Sequence, residues 1–106
     1  MTFSVTFTPE AEQHLVELYR YIAEASCPEA AARYVDSIVT FCEELASFPL
    51  RGRVRDDIRP GLRVTGYRRR VVVAFAVINQ GVLVVGIFYG GRDYEPVLTE
   101  PEMAPE

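Results

Sequence analysis

Arginine and tyrosine are the side chains through which this sequence could do chemistry. All eleven basic residues are arginine. Nine of them, Arg51, Arg53, Arg55, Arg59, Arg63, Arg68, Arg69, Arg70 and Arg92, fall between residues 49 and 93, accompanied by Tyr67, Tyr89 and Tyr94. A guanidinium is a planar fork that grips carboxylate or phosphate through paired hydrogen bonds and stacks on rings, whereas the ammonium of lysine acts as a point charge. Arginine could stabilise a pentacovalent phosphate while tyrosine relays a proton, so metal-free cleavage of a phosphodiester is chemically conceivable. Tyrosine ordinarily titrates near pH ~10, and no base accompanies these tyrosines in the sequence. The same set is therefore better suited to binding an anionic partner than to catalysis.

The other catalytic sets are missing. His14 is the only histidine; it sits on the flank of a helical stripe between Ala11 and Leu18 and reads as a boundary residue, with no nucleophile–histidine–acid set around it. Gly52 and Gly61 punctuate turns, and there is no lysine to complete a phosphate-cradling P-loop. Cys27 and Cys42 form no CxxC pair and read as reduced thiols. Asp56-Asp57 reads as a solvated loop pair. No metal or cofactor is expected.

The net charge of −4 hides an uneven distribution. Residues 1–48 carry eight acids against Arg20 and Arg33, or −6; residues 49–93 carry +6; the stretch from Tyr94 to the end carries −4. At 106 residues, 49% hydrophobic and 25% charged, the chain has the composition of one soluble domain. Residues 1–98 are expected to form it, with 99–106 an acidic, proline-rich, disordered tail. No run approaches the roughly 18 uncharged apolar residues of a membrane helix, and the first seven residues lack the basic head and apolar centre of a signal peptide. The expected compartment is the cytoplasm.

These residues need a scaffold, and the hydrophobic pattern predicts one of class α+β. Phe3, Val5 and Phe7 alternate with polar residues as in a half-buried strand. Thr8-Pro9-Glu10 opens a helix with a hydroxyl cap and proline at the first position, and Ala11, Leu15, Leu18 and Ile22 form its apolar stripe. Ser26-Cys27-Pro28-Glu29 ends it and caps a second, Ser26 and Glu29 having capping-box spacing. Ala31, Tyr34, Val35, Ile38, Phe41, Cys42, Leu45 and Phe48 line the second helix up to Pro49. The two should form an antiparallel hairpin. After an arginine-rich loop from Leu50 to Gly61 come three strands, Leu62–Tyr67, Arg70–Ile78 and Val82–Tyr89.

The last two strands flank Asn79-Gln80-Gly81, which predicts a three-residue loop with Gly81 in the left-handed position and Ile78 opposite Val82. In that register one face carries Val71, Val73, Phe75 and Val77 against Tyr89, Ile87, Val85 and Leu83, bulky enough to pack on the helices. The other carries Val72, Ala74, Ala76 and Ile78 against Phe88, Gly86 and Val84. It is apolar but shallow, where a wet face should be polar. A groove around Ala74 and Gly86 is thus expected to be covered from outside the chain, the alternatives being the first strand, the acidic tail or a second copy.

The order of Pro28-Glu29-Ala30-Ala31-Ala32-Arg33-Tyr34, Phe48-Pro49-Leu50-Arg51-Gly52-Arg53, Gly61-Leu62-Arg63 and Gly90-Gly91-Arg92-Asp93-Tyr94-Glu95 resembles the RelE/ParE toxins of bacterial type II toxin–antitoxin systems, the ParE branch above all. The resemblance covers residues 3 to 98. It implies a β-α-α-β-β-β domain, an N-terminal strand, helical hairpin and three-stranded antiparallel meander, held inactive by a ribbon-helix-helix, ParD-like antitoxin in a heteromeric complex. For ParE-like members it implies inhibition of DNA gyrase without chemistry by the toxin; for RelE-like members, ribosome-dependent cleavage of mRNA, for which Arg63, Tyr89 and Arg92 would be the catalytic candidates. A third reading is a binding relic of the fold that has lost toxicity. The target surface is assigned to Arg53, Arg63, Arg68, Arg69, Arg70, Tyr89 and Arg92, and the antitoxin surface to Val72, Ala74, Ala76, Val84, Gly86 and Phe88.

Overall fold

Residues 4 to 79 and 81 to 90 are described by the structure, a computed structural model. Phe3, Gln80, Arg92 and the acidic tail lie outside the described residues. The elements are β1 (Ser4–Phe7), α1 (Pro9–Ala25), α2 (Pro28–Glu44), β2 (Arg53–Val54), β3 (Leu62–Tyr67), β4 (Val71–Ile78) and β5 (Gly81–Tyr89). One mixed sheet runs β1-β5-β4-β3-β2, with β1 parallel to β5 and the other pairs antiparallel. The strand–helical hairpin–meander order is the expected one; the two-residue β2 inside the arginine-rich loop is an addition.

Local chemistry accounts for the helix ends. The Thr8 hydroxyl accepts from the Ala11 N–H at 3.1 Å, and Pro9 occupies a first-turn position that has no use for an N–H. At α2 the cap is Cys27 rather than Ser26: its backbone is extended and its Sγ accepts from the Ala30 N–H at 3.4 Å. The second helix also stops at Glu44, so Phe48 leaves the stripe and is 61% exposed. A two-residue link between the helices holds α1 and α2 side by side.

The stripes of the hairpin meet one face of the sheet in a single core. Ala11, Leu18, Ile38, Cys42 and Leu45 pack with Val71, Val73, Phe75, Val82, Val84 and Ile87. Each large side chain fully withdrawn from water contributes roughly 1.5–3 kcal/mol. Burial pushes the Cys42 thiol up to about 12, which keeps it a neutral, inert part of that core.

The β4–β5 register corrects the sequence expectation over half its length. Val71, Val72, Val73 and Ala74 oppose Tyr89, Phe88, Ile87 and Gly86 as expected. Beyond a bulge between Ala74 and Phe75, the pairs become Phe75–Val84, Ala76–Leu83, Val77–Val82 and Ile78–Gly81. Among the described residues of the hairpin loop Asn79, at φ 55°, is left-handed and Gly81 is not, and Ile78 pairs with Gly81, so the loop is one residue shorter than predicted. One extra residue in β5 absorbs the difference. Because side chains alternate along a strand, that slip exchanges faces: Val84 lies in the helix-covered core and Val85 packs on the opposite side.

Candidate functional site

The face away from the helices, expected to hold an open groove, is largely closed by the chain itself. Leu62, Val64, Ala74 and Phe88 form a second buried cluster with Ile58, Val72 and Val85 around it. Gly86 is small because Phe88 lies over it: a Cβ on Gly86 would stand 2.6 Å from Phe88 Cε2. The pairing of Ala74 with Gly86 therefore seats an aromatic ring of the same strand. Of the six residues placed on this face from the sequence, Ala74, Gly86 and Phe88 are buried by their own chain, Val84 is on the other face, and Val72 and Ala76 remain half-buried at the surface.

His14 completes this closure, a role that helical periodicity did not reveal. β1 pairs with β5 only as far as Val84, which leaves the outer edge of β5 beyond that point without a strand. There the Ile87 N–H donates to His14 Nδ1 at 3.1 Å, and the imidazole meets the Phe88 ring at 5.1 Å between centroids. An Nδ1 that accepts carries no proton, so this geometry needs the neutral ring. The same edge lines a cavity of about 400 Å³ bounded by His14, Glu17, Tyr21, Arg70 and Tyr89 above Leu18 and Ile87.

The described arginines of the expected target surface separate into three environments. Arg63 is tied down: its Nε donates to the Arg51 carbonyl at 3.1 Å and its Nη2 to the Leu50 carbonyl, clamping the connector after α2 onto β3. Arg53 pairs with Val64 and so stands on the opposite face from Arg63, which pairs with Val54 and Phe75. Arg68, Arg69 and Arg70 form the β3–β4 turn and are all exposed. Tyr89 pairs with Val71 next to that turn and packs against Tyr21 and Tyr34 at 5.8 and 5.9 Å. Burial, with the nearby Tyr89, raises the Tyr34 hydroxyl above its ordinary value, while Arg68 and Arg70 oppose the rise. Arg68, Arg69, Arg70, Tyr89, Tyr21 and Tyr34 thus share one end of the sheet, away from Arg63 and Arg53.

Two parts of the catalytic candidate set are held apart. Arg63 lies four residues along β3 from Tyr67, about 13 Å at 3.3 Å per residue, and Tyr89 lies two strands across from Tyr67. Arg63 has its guanidinium on backbone carbonyls, and Arg92 is outside the described residues. Among the described residues no group of three or more histidine, cysteine or acidic side chains could hold a metal ion, and no helix is long and apolar enough to cross a membrane.

A ladder of cations and rings leads away from the turn. The Arg68 guanidinium lies 5.2 Å from the Tyr67 ring centre, Tyr67 packs on Phe41 at 4.7 Å, and Arg51 lies over Phe41 and Phe48 at 5.2 and 5.6 Å. Cation–π contacts of this kind fix long side chains that would otherwise be mobile. The ladder joins the turn to the connector and keeps the exposed Phe48 under a guanidinium.

Comparison with known proteins agrees with this architecture. The solved structure described as the chromosomal ParDE TA system from P. aeruginosa superimposes with a TM-score of 0.72 at 24% identity, over 82% of this chain and 95% of that one, a likeness of fold. No curated protein matches significantly. The family model for the ParE toxin of the type II toxin–antitoxin system parDE matches residues 5–94. The chain belongs to the ParE toxin family.

Proposed function

We propose that the protein inhibits DNA gyrase by binding it, blocks replication in the cytoplasm, and is neutralised by direct contact with a ParD-like antitoxin. Family membership supports a toxin, and the observation that favours binding over catalysis is the state of Arg63. Its guanidinium is committed to two backbone carbonyls of the connector, so it is poorly placed to stabilise a transition state far along the sheet from Tyr89. The target surface is assigned to the end of the sheet that carries Arg68, Arg69, Arg70 and Tyr89. The antitoxin surface is assigned to the apolar remnant of the second face, Val72 and Ala76 with Leu83 and the 51% exposed Ile78.

The test sets two assays side by side with the purified chain. Gyrase supercoiling should be inhibited, and ribosome-dependent cleavage of message should be absent. Cleaved message with untouched supercoiling would replace this reading with a RelE-like ribonuclease. Loss of both, with antitoxin binding intact, would mark a relic of the fold.

A further inference from the structure

We infer that the β3–β4 hairpin tip is a contact for the phosphodiester backbone of duplex DNA, made by Arg68 and Arg69 with Arg70 beside them. The inference rests on the gyrase reading, because gyrase presents such a duplex to whatever binds it. Arg68 and Arg69 have φ angles of 52° and 67°, the left-handed region in which a side chain carries a steric penalty and which asparagine or glycine occupies at least cost. Two consecutive arginines there oppose the backbone preference of the turn, so their side chains are the reason for the choice.

Those side chains point to an anion outside the chain. All three are exposed, and the one salt bridge among the described residues is Arg55 with Asp57, elsewhere in the connector. Glu17 shares a cavity with Arg70, which leaves Arg68 and Arg69 as the stronger pair. Arg68 is held in place over Tyr67. The shape favours duplex over an acidic protein segment. A protein partner is anchored by bulky groups seated in desolvated pockets, whereas this tip is a three-residue turn of exposed arginines at the end of the five-stranded sheet. A duplex offers such a turn a regular row of phosphates. A planar fork suits phosphate oxygens, and contacts of this type set position rather than sequence.

The experiment measures binding of the full chain to a fluorescein-labelled duplex and to the RNA duplex of the same sequence by anisotropy. It uses wild type and the triple variant Arg68→Asn, Arg69→Gly, Arg70→Gln. Asparagine and glycine keep the left-handed turn, so the variant should melt at the same temperature or higher. Two to three phosphate contacts predict DNA affinity falling roughly 10- to 40-fold between about 50 and about 200 mM salt, and the variant should bind at least about tenfold more weakly with a flatter salt dependence. Absent DNA binding at low salt, equal binding by the variant, or preference for RNA overturns the inference. So does a variant that loses antitoxin while keeping DNA. Gyrase inhibition by both proteins with no duplex binding by either overturns the phosphate contact and leaves the gyrase reading standing; duplex binding without inhibition does the reverse.

Discussion

The connector after α2 and the tip of the β3–β4 hairpin are both built on arginine, and they use it in opposite directions. In the connector, Arg63 reaches back to the carbonyls of Leu50 and Arg51, and Arg55 forks onto both oxygens of Asp57. At the tip, Arg68, Arg69 and Arg70 face solvent with a left-handed backbone beneath the first two. Where a guanidinium satisfies backbone carbonyls of a loop, it does the work that a strand or helix would otherwise do for them. Where it projects from a turn that its own side chain disfavours, its partner lies outside. The two regions also differ in what holds them, since the connector has a two-residue strand pairing, one left-handed glycine and the Arg63 clamp against the sheet, whereas the tip is closed by the hydrogen-bonded pairing of β3 with β4.

The sharpest break in this contrast is Gly52→Ala. Gly52 lies at φ 82°, and an added Cβ would run into the Val64 carbonyl and the Thr65 side chain. Both the φ value and the clash fall on backbone, so the connector must lift off β3 and take the Arg63 contacts with it. A loss of about 2–4 kcal/mol is expected in urea unfolding, with the tip and its arginines unaffected. A variant as stable as wild type would mean that the connector is not fixed to the sheet.

Arg63→Ala comes next. It removes two charge-assisted hydrogen bonds from a half-exposed guanidinium, for an expected loss of about 1–2 kcal/mol by the same measurement. Lysine should restore little, because a point charge cannot serve two carbonyls as a fork does. The sequence assigns Arg63 to the target surface; the clamp onto the Leu50 and Arg51 carbonyls gives its loss a cost in stability as well. If Arg63→Ala weakens gyrase inhibition while the melting curve stays in place, the residue belongs with the tip after all.

Arg63 shows how far the sequence could be read. Helix stripes, the Thr8 cap and the strand order follow from periods of 3.6 and 2 and from local hydrogen bonding, which the neighbouring residues alone decide. The groove around Ala74 and Gly86 did not follow, because small residues opposite one another look the same whether they admit a partner or seat Phe88. One residue of difference in the hairpin loop moved Val84 to the other face, and only the paired strand reveals where the bulge absorbs it. His14 was unreadable for a related reason: its partner, the Ile87 N–H, is seventy-three positions away along the chain. The bond exists only because β1 ends before β5 does. The arginines were visible as a set, but whether each points to a carbonyl or to water depends on the path of the connector.

The smallest effect separates the connector's own two pairs. Arg55 Nε and Nη2 donate to Asp57 Oδ1 and Oδ2 at 2.9 and 2.8 Å, and this holds the Asp57 carboxyl below its ordinary value of 3.8. A depressed carboxylate contributes stability that is fully present above the ordinary value and is lost as pH falls through the lower, folded one. Stability should therefore be indifferent to this pair from neutral pH down to about 4 and decline only below it. The Asp57 side chain is 66% exposed, so salt and solvent screen the interaction and its loss at neutral pH should barely move the melting curve. Carboxyl-carbon NMR of wild type should give an Asp57 midpoint under 3.8, and Arg55→Gln should return it toward that value. A midpoint at or above the ordinary value would show that Arg55 does not hold Asp57 in solution. The Arg55–Asp57 pair would then add nothing to what Gly52 and Arg63 supply to the connector.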